Sequence, residues 1–125
     1  MAGMKTSRES IQPYTTRDGS LIRELMHPDL HGCTNLSLAE AVIAPGSATA
    51  LHIHARAEEI YHVLAGQGRM TLGPDRFDVA EGDTICIRPG QPHRVENTGT
   101  DPLVILCCCA PAYSHSDTEI IDQLE

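Results

Sequence analysis

Apolar and polar positions alternate along the chain in short bursts broken by turn residues. The apolar stretches are SLIRELM (20–26), LSLAEAVIA (36–44), ALHIH (50–54), EIYHVLAG (59–66), GRMTL (68–72), RFDVA (76–80), TICIR (84–88), HRVEN (93–97) and LVILCCC (103–109). Each ends in residues that favour turns, among them PGS, GPD, EGD and PGQP, where Gly and Pro set backbone angles that strands do not use. Runs of this length, rich in Ile, Val and Thr, predict strands, and their close spacing predicts an all-β sandwich or barrel. LSLAEAVIA mixes helical and strand periods through Leu36, Leu38, Ala41 and Val42, but Pro45 and Gly46 cut it short, so it reads as a strand. In the tail, Ser116 with Glu119 three residues on predicts a short terminal helix. The organisation is therefore an N-terminal extension or arm over 1–18, a β domain over 19–113, and a tail over 114–125.

Composition narrows the partners. The chain has 125 residues, enough for one domain with its own core. Nine Lys and Arg against seventeen Asp and Glu give a net charge of −8, the wrong sign for gripping phosphates, so no nucleic-acid partner is expected. No apolar run approaches the roughly 18 residues that a membrane span needs, and MAGMKTSRES is not followed by an apolar signal core, so a cytoplasmic protein with no membrane partner is expected. Five cysteines, three of them adjacent at Cys107, Cys108 and Cys109, suit neither a disulfide framework nor paired zinc knuckles and read as reduced thiols. Aromatic residues are 3% with no Trp, so the core must be built from Leu, Ile, Val and Ala.

One stretch carries chemistry. Strand side chains alternate faces, so His52 and His54 point the same way, with Ile53 opposite. Past a tight turn at Ala55–Ala57, the next strand sets Glu59, Tyr61 and Val63 on one face and Ile60, His62 and Leu64 on the other. Glu59 can thereby join the two histidines, and the alternation with Tyr61 favours it over Glu58. His93 follows RPGQP, whose prolines and glycine restrict the backbone and fix the approach of the ring. Ionisable groups in an apolar run need partners, because burying them alone costs several kcal/mol. Three neutral imidazoles and a carboxylate make a mixed site for one divalent transition metal ion, with manganese, iron, nickel, copper or zinc all chemically suitable. Tyr61 faces the same cavity as a candidate catalytic acid or base, the alternative being a core aromatic. Cys107–Cys109 must divide between two faces and read as buried apolar residues, or as one thiol lining the pocket. His27, His31 and His115 fit no ligand spacing and read as surface or rim residues.

The spacing resembles that of the cupins. Their first motif is met by Gly46, His52, His54, Glu59 and Gly66, and their second by Gly82, Gly90, His93 and Asn97, with Arg88 where the family carries a leading proline. Arg88 reads as a surface arginine or as a mouth residue for an anionic substrate. The resemblance covers 46–97, as in small single-domain bacterial cupins, and implies an antiparallel jelly-roll β-barrel whose interior metal is held by His52, His54, Glu59 and His93. It implies a small-molecule ligand, polar or anionic, and a metal-dependent enzyme of isomerase, dioxygenase or lyase type, with a metabolite-binding sensor as the alternative. It also implies a homodimer, for which the polar segment before Gly19 is a candidate arm.

Overall fold

The computed structural model describes residues 4–121. Eleven strands run in chain order: β1 (Tyr14–Thr15), β2 (Leu21–Met26), β3 (Ser37–Ile43), β4 (His52–His54), β5 (Glu58–Ala65), β6 (Gln67–Leu72), β7 (Asp75–Ala80), β8 (Thr84–Ile87), β9 (His93–Asn97), β10 (Leu103–Ala110) and β11 (Thr118–Ile120). Each of the nine alternating segments forms a strand. They build two antiparallel sheets, one ordered β1-β2-β3-β10-β5-β8 and the other β11-β4-β9-β6-β7. The chain switches sheet at nearly every turn from β3 to β11, which winds the two sheets face to face as a jelly roll. None of the described helices is long and apolar enough to cross a membrane.

The inward faces meet in one aliphatic core. Met70 and Leu103 are fully buried, and Val63, Ile87, Val95 and Ile105 nearly so, while Tyr61 is the buried aromatic among them. Gly66, a framework position of the first motif, turns from β5 into β6 with φ +88°, and a Cβ there would lie 2.7 Å from the Pro102 carbonyl oxygen. Any larger residue would be strained by both backbone angle and space. Asn97 ties the neighbouring loop at the same corner. Its amide nitrogen donates to the Ile43 and Asp101 carbonyls, both at 2.9 Å, and its side-chain oxygen accepts from the Gly99 N–H. Asn97→Ala should therefore cost about 2–3 kcal/mol, because buried backbone groups lose their partners; the urea midpoint measures it.

Segments near both ends of the described residues add to the barrel. Thr6 donates to the Leu25 carbonyl, Arg8 pairs with Glu40 at 2.8 Å, and β1 pairs with β2. In the tail the only described helical residues are a single 3-10 turn, His115–Asp117. Its cap is Ser114, whose hydroxyl accepts from the Ser116 N–H, and not Ser116 itself. Beyond it the chain extends as β11, whose Thr118, Glu119 and Ile120 pair with His54, Ile53 and His52. The exposed edge of β4 offers those hydrogen bonds, and a longer helix would forgo them. Residues 122–125, the end of the expected helix, lie outside the described part.

Candidate metal centre

The site is assembled across both sheets. On β4, His52 and His54 share the inward face, at 2% and 4% exposure, with Ile53 outward. His93 on β9 is directly opposite His52 in the antiparallel register and fully buried. Glu59 comes from β5 in the facing sheet, flanked by Ile87 of β8 and Cys109 of β10. The turn between β4 and β5 is pinned by Asp117, whose carboxylate accepts from the Arg56 and Ala57 N–H groups at 2.9 and 3.0 Å. Gly90 N–H donates to the His54 carbonyl at 2.7 Å, holding the turn that delivers His93.

Hydrogen bonds on the far side of each ring decide which nitrogen faces inward. His52 Nδ1 lies 2.7 Å from the Ala50 carbonyl and His93 Nδ1 2.9 Å from the Gln91 carbonyl; a carbonyl only accepts, so both Nδ1 atoms carry the proton. His54 Nδ1 lies 3.0 Å from Thr118 Oγ1, whose own proton is committed to the Ser114 carbonyl at 2.9 Å. The network thus assigns Nδ1–H to all three rings. Their Nε2 lone pairs then converge. One ligand atom from each of the three histidines falls within 4.8 Å of the others, and Glu59 Oε1 stands 3.2 Å from His54 Nε2 and 3.5 Å from His93 Nε2. Glu59 Oε1 and His93 Nε2 are buried without a hydrogen-bond partner.

Electrostatics favour an uncharged His52 beside an ionised Glu59. Burial, and then the adjacent His93, lower His52 to about 4, so the ring is uncharged at neutral pH. Burial alone would raise Glu59, but hydrogen bonding and positive charge at His54 and His93 outweigh it and hold the carboxyl at about 2; with their Nε2 atoms unprotonated, that positive partner is left for a cation to supply. Lone pairs facing a carboxylate in a dry interior repel one another unless a cation lies among them. The residues fit a divalent ion on that ground, and the carbonyl and hydroxyl contacts behind the rings are of the kind that orient metal-binding histidines.

Around this cluster lies a cavity of about 40 Å³, enough for a few water-sized groups. Tyr61 lines it, 4% exposed, with its ring edge-on to His93 at 6.0 Å. Burial, and secondarily Glu59, raise its phenol well above the usual value, so it holds its proton. Cys107 and Cys109 line the cavity too, and Cys109 Sγ donates to Glu59 Oε2 at 3.1 Å; Cys108 is half-buried on the other face. Glu58 is exposed, and His62 sits outside against Thr84. Arg88 is exposed and absent from the cavity wall. His27 is buried at the rim, with Nε2 donating to the Tyr113 carbonyl at 2.7 Å.

Four residues near the centre were not among the sequence candidates: Asp18, with Oδ2 3.7 Å from His52 Nε2; Glu24; Tyr113, whose ring lies 5.8 Å from His54; and Thr118. Of these only Glu24 had a readable signal, an acid between inward-facing positions of a strand.

Comparison with known proteins agrees with this architecture. A family model described as the cupin domain matches residues 39–109, more than half of the chain. Uncharacterized protein MJ1618 of Methanocaldococcus jannaschii is 53% identical over 119 residues, 95% of each chain. The oxalate-binding protein of Thermotoga maritima is 34% identical over 68 residues, 54% of this chain and 56% of that one. Among solved structures, the formate complex of Lactobacillus farciminis oxalate decarboxylase superposes with TM-score 0.78 at 21% identity, covering 90% of this chain and 34% of that one, and so is similar in fold. With its two motifs on adjoining strands of a jelly roll, the chain belongs to the cupin domain family.

Proposed function

We propose that His52, His54, His93 and Glu59 hold one divalent transition ion and that the protein is a metal-dependent enzyme for a small polar metabolite, of isomerase, dioxygenase or lyase type. The observation that carries this reading is the convergence of three buried histidines, two of which, His54 and His93, hold Nε2 within 3.5 Å of a partnerless Glu59 oxygen. When bound, the ion would polarise a carbonyl, enediol or carboxylate oxygen of the substrate. The chain's own residues supply the rest. Glu59 balances charge, Cys109 fixes its second oxygen, and the aliphatic walls exclude water. Tyr61, the candidate catalytic residue, keeps its phenol proton and so serves as a donor, by hydrogen bond or proton transfer, and not as a resting base.

The name of the Thermotoga relative favours a second reading, a binding module without turnover. Elemental analysis of tag-free protein, followed by a turnover screen with the metal it reports, tests the proposal: about one equivalent of metal and catalysis lost in Tyr61→Phe support the enzyme. Metal with ligand binding but no turnover supports the module, and absence of metal contradicts both. The reading extends to a cytoplasmic homodimer, which light scattering tests.

Thr118 provides a graded check. Thr118→Val removes the hydroxyl that orients His54 while keeping its bulk, and metal affinity should fall about 10–100-fold, as for other partners of ligand histidines. Competition against a chelating dye measures it, and an unchanged affinity would show that Thr118 does not set the ring.

A further inference from the structure

The charged groups in the otherwise aliphatic and neutral-polar cavity wall are acids. Asp18, Glu24 and Glu59 all line it, and its lining among the described residues contains no Lys or Arg. The groove at its mouth, which shares Glu24 and Tyr113 with the interior and also includes Asp29, has none either. Besides Glu59 Oε1 at the metal centre, two carboxylate oxygens are left over after the hydrogen bonds of the described residues are counted. Asp18 Oδ1 is saturated by Thr16 Oγ1, the Ser20 N–H and Ser20 Oγ, at 2.5–2.9 Å, whereas Oδ2 accepts from none of the described residues and points toward the centre, 3.7 Å from His52 Nε2. Glu24 Oε1 accepts from the Tyr14 hydroxyl at 2.9 Å, while Oε2 is buried without a partner and the residue as a whole is 6% exposed. Burial and the charge of Glu24 raise the Tyr14 phenol, so it remains a donor to this carboxylate.

With neutral imidazoles, a divalent ion cancels two of the three carboxylate charges and leaves the cavity net negative. An anionic ligand in this cavity would share it with Asp18 and Glu24, an arrangement of like charges that costs affinity. A hydroxyl or ammonium group would instead satisfy the two spare oxygens.

We propose that the ligand class of this site is a small, non-anionic hydroxy or amino compound that donates O–H or N–H protons to Asp18 Oδ2 and Glu24 Oε2. This rests on the metal-centre reading and narrows its substrate class. It also separates the chain from the oxalate ligand in the name of its Thermotoga relative, since oxalate carries two negative charges.

Three probes share a two-carbon frame and differ in charge: ethylene glycol, ethanolamine and glycolate. Titrated into metal-loaded protein and followed by calorimetry, ethylene glycol and ethanolamine should each bind at least about tenfold tighter than glycolate. In Asp18→Asn/Glu24→Gln, with Glu24→Gln alone as a milder variant and circular dichroism as the check on folding, that ratio should shrink to about threefold or less, because the repulsion is gone. Glycolate binding tightest to the wild type, an unchanged ratio in both variants, or no binding by any probe would overturn the proposal. Metal content is measured separately, and the same titration is repeated on chelator-stripped protein. If no metal is found, the metal-centre reading fails, while a preference against glycolate in the stripped protein still supports the acidic site.

Discussion

His52→Ala/His54→Ala is expected to abolish stoichiometric metal binding. The two imidazoles supply half of the four donors. A partner of a ligand histidine is worth about 10–100-fold in affinity, so loss of two ligands outright should exceed about a thousandfold. The fold should survive. β4 keeps its backbone ladder to β11 and β9, and in the metal-free protein the substitutions remove the His54 Nε2 that crowds Glu59 and the His52 Nε2 that faces Asp18. A further signature follows from linkage. An ion that binds the folded state alone raises stability by about 4 kcal/mol at a thousand times its dissociation constant. Added metal should therefore lift the melting temperature of the wild type and leave that of the variant unmoved. A variant that still took up one equivalent at wild-type affinity would place the ion elsewhere.

Leu103→Ala is expected to be the costliest single truncation for stability, at about 2–5 kcal/mol. Leu103 is fully buried at the start of β10, and its Cδ2 approaches Gly68 so closely that a Cβ there would lie 2.9 Å away. Close packing leaves nothing able to fill the space, and such a loss is a large share of the roughly 5–15 kcal/mol by which a domain is stable. Leu64→Ala is the control. That side chain is 41% exposed, and its loss should change stability by no more than about 0.5 kcal/mol, as at other surface sites. Urea denaturation of the two variants separates core from surface; equal costs would mean that the aliphatic interior is not what holds the sheets together.

The strands could be read because alternation is a local property. A sheet with one wet face writes its pattern into each run of five or six residues, as in Glu59, Tyr61 and Val63 against Ile60, His62 and Leu64. The histidine positions were likewise local: His52 and His54 lie one pleat apart, and His93 is held by a proline-bounded turn. What surrounds them is not local. Thr118 reaches His54 across 64 residues of sequence and Cys109 reaches Glu59 across 50, separations set by which strands become neighbours. β11 has only three residues, too few for a period, so the tail read as a helix start when its edge position favoured a strand. Asp18 sits in a polar stretch read as part of an arm, yet the Asp18 carbonyl accepts from the Ala50 N–H at 2.7 Å and its side chain turns into the cavity. Glu24 is the instructive case. An acid two residues from Ile22 on the buried face of β2 breaks the apolar pattern, and such a break marks a polar function for the interior.

Anomalous diffraction from a crystal of the metal-loaded protein locates the ion without reference to activity. One peak is expected inside the barrel, bounded by the Nε2 atoms of His52, His54 and His93 and by a Glu59 oxygen. A barrel without that peak, or an ion found only on surface carboxylates, would contradict the proposed metal centre.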